Sequence, residues 1–399
     1  MTAPQALAHV RVVDLTHHVA GPYCTMMMAG FGAEVIKVER PGVGDAVRHI
    51  GPFFGPGPDP EASIPFLWLN AGKKCVTLNL KDRRGRTLLE DLVRRADVVV
   101  ESFSPGVMSR LGLDYETLRA IRPGLVMTSI SNFGRTGPYR DFKAEENVAS
   151  ALAGLMRLTG DPDKAPLQPG PALAQYTAGM HAYIATLMAV YQAGATGSGQ
   201  HADVSIQESA LENIEIALME HLRLGRVAAR RGDEHVLVPW QLHPCRDGYA
   251  AVIGGPVRHW LRAAVLFEEP RLLEEPLRHM AGRMARREEV RGLIQPWLER
   301  HDKRDVYHAG QARRLAFGYL AALDEVLDAP QHRARDFFVE VEHPVVGRYR
   351  SCGPPFRPSE TPWRSQRAPL LGEHNEPIYH ELLGRGRDEL AALGREGVI

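Results

Sequence analysis

Several residues stand where their chemistry could act on a charged ligand. His17 and His18 in "THHVAGP" follow an apolar run, and a histidine pair at a strand end can serve as acid or base, or be an ordinary solvated loop feature. Glu145 and Glu146 in "FKAEENVASALAGL" precede a helix pattern, where carboxylates either complement the helix dipole or act as acid, base or nucleophile. Gln175 in "PALAQYTAGMH" lies at the mouth of another helix. Unpaired N–H groups there favour an anion, so a carboxylate would be at home, whereas an amide adds no charge. Lys73, Lys74, Arg110 and Lys143 fall near the ends of predicted strands, a grouping that suits a ligand with several phosphates. With 48 Lys and Arg in the chain, coincidence produces such groupings too.

The elements that must position these residues alternate. "HVRVVDL", "AEVIKVE", "KCVTLNL", "DVVVES" and "GLVMTSIS" are short β-branched runs bounded by turn residues, with helix patterns such as "DRRGRTLLEDLVRRA" between several of them. This predicts a doubly wound parallel α/β sheet, with ligands beyond the strand ends at Thr16–Ala20, Glu39–Arg40, Ser102–Phe103 and Ser131–Phe133. Pro22 suits a first helical turn after "THHVAG". A helical stretch over 176–225 is broken at "GATGSGQ" before the strand "HADVSI", and Met180, Ile184, Leu187, Met188 and Tyr191 predict its buried face. The reading is residues 1–200 as a large Rossmann-like domain, 201–225 as a linker helix, 226–328 as a smaller α+β domain and 329–399 as a segment returning to the large domain. Within the smaller domain "PCRDGYAAVIGG" reads as a hairpin-like strand pair.

Bulk properties narrow the classes of function. Of 399 residues 44% are hydrophobic and 24% charged, which is soluble globular composition. Lys plus Arg equals Asp plus Glu at 48 each, leaving no net field for nucleic acid or an anionic membrane. Cys24, Cys75, Cys245 and Cys352 are scattered without ligand spacing, which predicts a reducing compartment, no disulfide framework and no metal site. No apolar run reaches the ~20 residues of a membrane span, and "MTAPQALAHV" lacks a signal-peptide pattern, so the expected location is cytoplasmic. There is no P-loop, no G-x-S-x-G and no H-E-x-x-H, and "GATGSG" does not fit the dinucleotide fingerprint.

Five stretches, "VVDLTHHVAGPYCTMMMAGFGAEVIKVERPGVGD", "LNAGKKCVTLNLKDRRGRTLLEDLVRRADVVVESFSPGVMSRLGL", "TSISNFGRTGPY", "TGSGQHADVSIQESAL" and "GPPFRPSETP…APLLGEHN", resemble the class III CoA-transferases nearly end to end. That family, the CaiB/BaiF type, includes formyl-CoA transferases, carnitine CoA-transferases and α-methylacyl-CoA racemases. The resemblance implies a large domain made from both chain ends, a small domain between linkers, and two chains threaded through each other as an interlocked dimer. It places coenzyme A, as an acyl-CoA substrate, at the strand ends. Arg40 would meet the adenosine phosphates, with Val19, Ala20, Leu69, Lys73 or Lys74, Ser102, Phe103, Arg110 and Lys143 along the ligand. Ser102 replaces a frequent asparagine, and Val19 stands where formyl-CoA transferases have a glutamine, which argues against oxalate and formate as substrates.

The family's nucleophile is an aspartate four residues before a glycine, here Gly179, so its place is held by Gln175. A carboxamide cannot form the mixed anhydride of the ordinary cycle. Glu146 matches a glutamate near the family's active site, and Glu145 replaces the histidine of the racemase branch. Three readings follow. The chain is the nucleophile-lacking subunit of a heteromeric CoA-transferase, as in the two-subunit benzylsuccinate CoA-transferase, paired with an Asp-bearing paralogue and moving CoA to a carboxylic acid. Alternatively it is a homodimeric enzyme on an acyl-CoA needing no aspartyl anhydride, with Glu146 or a histidine as base. The third reading is a non-catalytic acyl-CoA-binding protein.

Overall fold

The structure, a computed structural model, describes residues 5–399. The chain forms two compact units, the larger comprising the described residues up to Leu155, Gln168–Gly225 and Arg333–Ile399, the smaller Met156–Leu167 and Arg226–His332. The larger is built on six parallel strands, β1 (Arg11–Leu15), β2 (Glu34–Glu39), β3 (Lys74–Thr77), β4 (Val98–Glu101), β5 (Val126–Ser131) and β6 (His201–Ser205), in the order β3-β2-β1-β4-β5-β6. Most of these residues are buried, as continuous β-branched runs covered on both faces require. The strand order reverses between β1 and β4, which opens a crevice beyond Leu15 and Glu101.

Nine helices of this unit are α1 (Ala20–Gly30), α2 (Ile64–Leu69), α3 (Arg83–Arg94), α4 (Val107–Leu111), α5 (Tyr115–Ile121), α6 (Glu146–Leu152), α7 (Leu173–Thr196), α8 (Ile206–Leu211) and α9 (Glu215–Leu224). α1 and α7 cover one face through Val12, Val35, Val98 and Val126, while α3 and α5 cover the other through Val13, Ile36, Val99 and Met127. Helix α1 begins at Ala20, so Pro22 sits in its first turn, where a missing N–H breaks no intrahelical bond.

The predicted buried face of α7 is corrected in part. Met180 and Leu187 are partly buried against the core, but Ile184, Met188 and Tyr191 are 47%, 67% and 83% exposed, and the helix buries Ala174, Ala178, Gly179, Ala182, Tyr183, Thr186 and Ala189. Close approach explains the reversal. A Cβ on Gly179 would lie 2.6 Å from the carbonyl oxygen of Ala20, so only small residues let α7 reach α1. The stretch read as helix broken at "GATGSGQ" before the strand "HADVSI" is, in order, α7, that strand as β6, α8 and α9, with a short 3-10 turn at Glu212–Ile214 before α9.

The smaller unit carries a three-stranded antiparallel sheet of β7 (Trp240–Cys245), β8 (Gly248–Ile253) and β9 (Gly318–Tyr319), and helices 257–266, 287–298 and 303–312 close over it around Trp260. The hairpin signal is real, although its first strand begins at Trp240, before "PCRDG". Within the larger unit β10 (Phe338–His343) and β11 (Gly347–Cys352) form a second hairpin. The segment after it returns to the parallel sheet and occupies the free edge of β3. His374 Nδ1 accepts the N–H of Cys75 (3.1 Å), Asn375 Oδ1 accepts that of Thr77 (2.8 Å), and the Tyr379 hydroxyl donates to the Thr77 carbonyl (2.9 Å).

Beneath the carboxyl ends of β1 to β3 lies a cluster of buried charges. Lys73 pairs with Asp14 at 2.9 Å, Lys37 with Asp45 at 2.7 Å, and Arg48 forks onto both oxygens of Glu39 at 2.8 Å each. Lys37 also donates to the Thr16 carbonyl (2.9 Å), and Asp14 accepts the N–H of Thr16 (2.9 Å), so the cluster holds the turn that leaves β1. Burial pushes the Asp14 carboxyl up, but Lys73 and Lys37 more than reverse it, to about 2. Because this lies below the ordinary 3.8, the stabilisation is in place above about pH 4 and is lost as pH falls toward 2. Asp14→Asn, which leaves Lys73 without its nearest anion, is expected to cost about 3–5 kcal/mol at pH 7. It should also flatten the acid limb of stability, as measured by urea unfolding between pH 7 and pH 3.

Candidate active site

Three strand-end loops and one helix mouth converge in the larger unit. The loop after β1 brings His17 and His18, the loop after β4 brings Ser102 and Phe103, and the loop after β5 brings Lys143 and Glu145. With Ala20 of α1 and Gln175 of α7 they line a cavity of 240 Å³. The loop after β1 is tied to that after β4, Ser102 Oγ accepting the N–H of His17 (2.8 Å), while within their own segments Glu101 accepts the N–H of Phe103 (2.8 Å) and Asn132 donates to the Ala144 carbonyl (2.9 Å). A second cleft of 570 Å³ lies over the ends of β2 and β3, walled by Val38, Leu78, Val107 and Leu111 and rimmed by Arg40 and Lys81. His17 and Phe103, their rings 5.7 Å apart, line both spaces. An elongated ligand can therefore place a flat ring against the apolar cleft, its anionic groups by Arg40, and a narrow arm past His17 and Phe103 toward Gln175.

Gln175 reaches the cavity because α7 crosses α1 at Gly179, one turn further along, and so sets its own first turn beside that of α1. Glu146 is bound up in the same arrangement. One carboxylate oxygen accepts the N–H of Ala174 (2.9 Å) and the hydroxyl of Ser150 (3.0 Å), and the other accepts the N–H of Gln175 (3.1 Å). It is the N-terminal cap of α7, supplied from α6. Two of the N–H groups that would hold an anion at the α7 mouth are thereby used. The first turn of α1 instead presents Ala20 and Gly21 to the cavity.

The other expected ligand contacts separate. Ala20, Ser102, Phe103, Lys143 and Gln175 share the first cavity, and Arg40 is in the second cleft. Val19 is the residue before α1 and packs toward α2, and Leu69 is buried in the cluster around Phe66. Lys73 is buried on Asp14, and Lys74 pairs with Glu34 at 2.5 Å at the amino end of the sheet, so neither faces the cavities. Arg110 lines a third space together with Arg135 and Arg140. Residue chemistry alone passed over Arg135, Arg140 and Lys81, although "GRTGPYRD" directly follows the end of β5 and marks the first two. Among the described residues no group of three or more His, Cys, Asp or Glu is placed to hold a metal ion, and no helix is long and apolar enough to cross a membrane.

Residues 7–375 match the sequence profile of CoA-transferase family III. The chain is 34% identical over 421 residues to a formyl-CoA:oxalate CoA-transferase of Streptomyces coelicolor, covering 100% of both. It is equally 34% identical over 408 residues to a succinyl-CoA–D-citramalate CoA-transferase of Chloroflexus aurantiacus, covering 99% of this chain and 98% of that one. The crystal structure of a CAIB/BAIF family protein from Brucella suis superposes with a TM-score of 0.85 at 30% identity, over 95% of this chain and 99% of the other.

The capping role of Glu146 has a measurable consequence. Glu146→Gln replaces one acceptor oxygen with an NH₂ group facing a backbone N–H, and is expected to destabilise the fold by about 1–2 kcal/mol. Thermal unfolding reads this directly, and an unchanged midpoint would show that the carboxylate is not needed at the α7 mouth.

Proposed function

The chain belongs to CoA-transferase family III, and we propose that it is the nucleophile-lacking subunit of a heteromeric CoA-transferase that moves CoA from an acyl-CoA to a carboxylic acid. One observation carries this reading: the side chain at the helix mouth in the cavity is the amide of Gln175. An amide offers no anionic oxygen to attack a thioester, and an acyl transfer through a mixed anhydride needs one. Glu146, the carboxylate next to it, has both oxygens engaged by backbone N–H groups.

The two cavities suit the substrate. The apolar cleft with Arg40 and Lys81 at its rim accommodates an adenine and its phosphates, and His17 and Phe103 line both this cleft and the cavity that holds Gln175. A partner chain is supported by the apolar side chains left in solvent, Ile184, Met188 and Tyr191 on α7 and Ile216, Leu222 and Leu224 on α9, the last three 76%, 73% and 62% exposed. The partner would be an Asp-bearing paralogue.

A second reading, a homodimeric enzyme that acts on an acyl-CoA without an aspartyl anhydride, is favoured by the presence of Glu145, His17 and His18 in the same cavity as Gln175. Rates of CoA exchange between an acyl-CoA and a panel of carboxylic acids, followed by chromatography, separate the two. The purified chain alone should be silent and should gain exchange when an Asp-bearing paralogue is added. Gln175→Asp should give the lone chain measurable exchange. Turnover by the unmodified chain alone would overturn the subunit reading in favour of the second.

A further inference from the structure

The apolar cleft over the ends of β2 and β3 takes part of its wall from a remote segment of the chain. Asn79, Leu80 and Lys81 of the loop after β3 line it, and so does Gly397.

The helix Arg387–Arg395 brings Gly397 there by the way it ends. Gly397 takes φ of 68°, its N–H bonds back to the Gly394 carbonyl (3.1 Å), and the N–H of Val398 bonds to the Leu393 carbonyl (2.9 Å). This pair of bonds is a Schellman cap, and glycine holds its left-handed position because a Cβ is disfavoured at that φ. The cap turns the chain back, so that Val398, fully buried, packs in one core with Leu78 and Leu393. From there the Val398 carbonyl accepts the N–H of Asn79 (2.8 Å).

Asn79 is the residue that shapes the loop. Its side-chain oxygen accepts the N–H of Lys81 (3.1 Å) and its carbonyl accepts that of Asp82 (3.1 Å), so it sets the turn. From α3, Arg86 donates to the carbonyls of Leu80 and Lys81 at 3.2 and 3.0 Å, and a Cβ on Gly85 would lie 2.1 Å from the Asn79 carbonyl oxygen. Arg84 pairs with Asp82 and with Glu396, an exposed tie between loop and cap. The loop is thus gripped by α3 and by the cap, and of these two the cap also contributes to the cleft, through Gly397.

We propose that Glu396–Val398 is a positioning element for the nucleotide end of a CoA ligand. The cap keeps Asn79–Lys81 in place as a wall of the cleft, and Gly397, lacking a side chain, leaves the ligand room beside it. This rests on the reading of the cleft as the seat of an adenine and its phosphates. The cavity that holds Gln175 takes no residue from the cap or from the loop, so the thioester end of the ligand does not depend on them.

Calorimetric titration of the full-length protein with CoA, ADP and pantetheine tests this, using two substitutions at one position. Gly397→Val puts a β-branched side chain at positive φ and should open the cap, whereas Gly397→Asn introduces a residue that tolerates this conformation. A Cβ at Gly397 meets nothing within 4 Å, so neither side chain starts with a collision against the protein. The Val variant is expected to bind CoA and ADP about tenfold more weakly and to bind pantetheine as the wild type does. The Asn variant should bind all three within about twofold of the wild type. Unchanged CoA and ADP affinity in the Val variant overturns the positioning role. So does equal weakening of all three ligands, which is general damage to the fold. Equal weakening of CoA and ADP by Val and Asn also overturns it, because bulk in the cleft and not the cap would then be what the ligand feels. A wild type that binds none of the three overturns the CoA reading and this inference with it.

Discussion

Asp14, Lys37, Glu39, Asp45, Arg48 and Lys73 are buried together under the strand ends, although each ion gives up hydration worth several kcal/mol. Balanced charges and short contacts make that burial tolerable, and its effect is geometric. Lys37 spans from the Thr16 carbonyl to Asp45, and Asp45 in turn accepts the N–H of Val47 (3.0 Å). The loops after β1 and β2 are thereby fixed to one another from below. Everything above them, His17 between the two cavities and the first turn of α1, inherits its position from this layer. A hydrophobic layer of the same volume would bury as well but would offer no directional bonds to the carbonyl and N–H groups of the turn.

Much of the larger unit was legible because its signals are local. Uninterrupted β-branched runs such as "RVVDL" and "VVVE" announce buried parallel strands, and helix patterns between them announce crossovers. The α7 face was misread for a physical reason. Periodicity assigns large apolar side chains to the core, whereas here the determining quantity is the distance between two helix backbones, which Gly179 and its neighbouring alanines permit. Met188 and Tyr191 then point outward, and nothing in a single sequence distinguishes a core stripe from a stripe left for another surface.

The site was legible where a residue ends a strand and illegible where it precedes one. Ser102 and Phe103 follow β4 and line the cavity; Lys73 and Lys74 precede β3 and are drawn to Asp14 and Glu34 instead. Proximity in the chain to a strand does not say which end of the sheet a side chain will reach. Glu146 shows the opposite limit. Its partners, Ala174 and Gln175, lie 28 and 29 residues away, and a cap supplied across that distance leaves no pattern in either segment. Residue type alone suggested reactivity, while each carboxylate oxygen turns out to accept a backbone N–H.

The segment around His374–Tyr379 closes the outer edge of β3 with one backbone bond, from the His374 N–H to the Cys75 carbonyl, and with side-chain bonds from His374, Asn375 and Tyr379. Almost three hundred residues separate it from Cys75 and Thr77. During synthesis the strand therefore leaves the ribosome long before its cover exists, and its N–H and C=O groups stand open to any other extended chain in the meantime. Until residues 374–379 have been made and have docked, that margin of the sheet has no cover of its own.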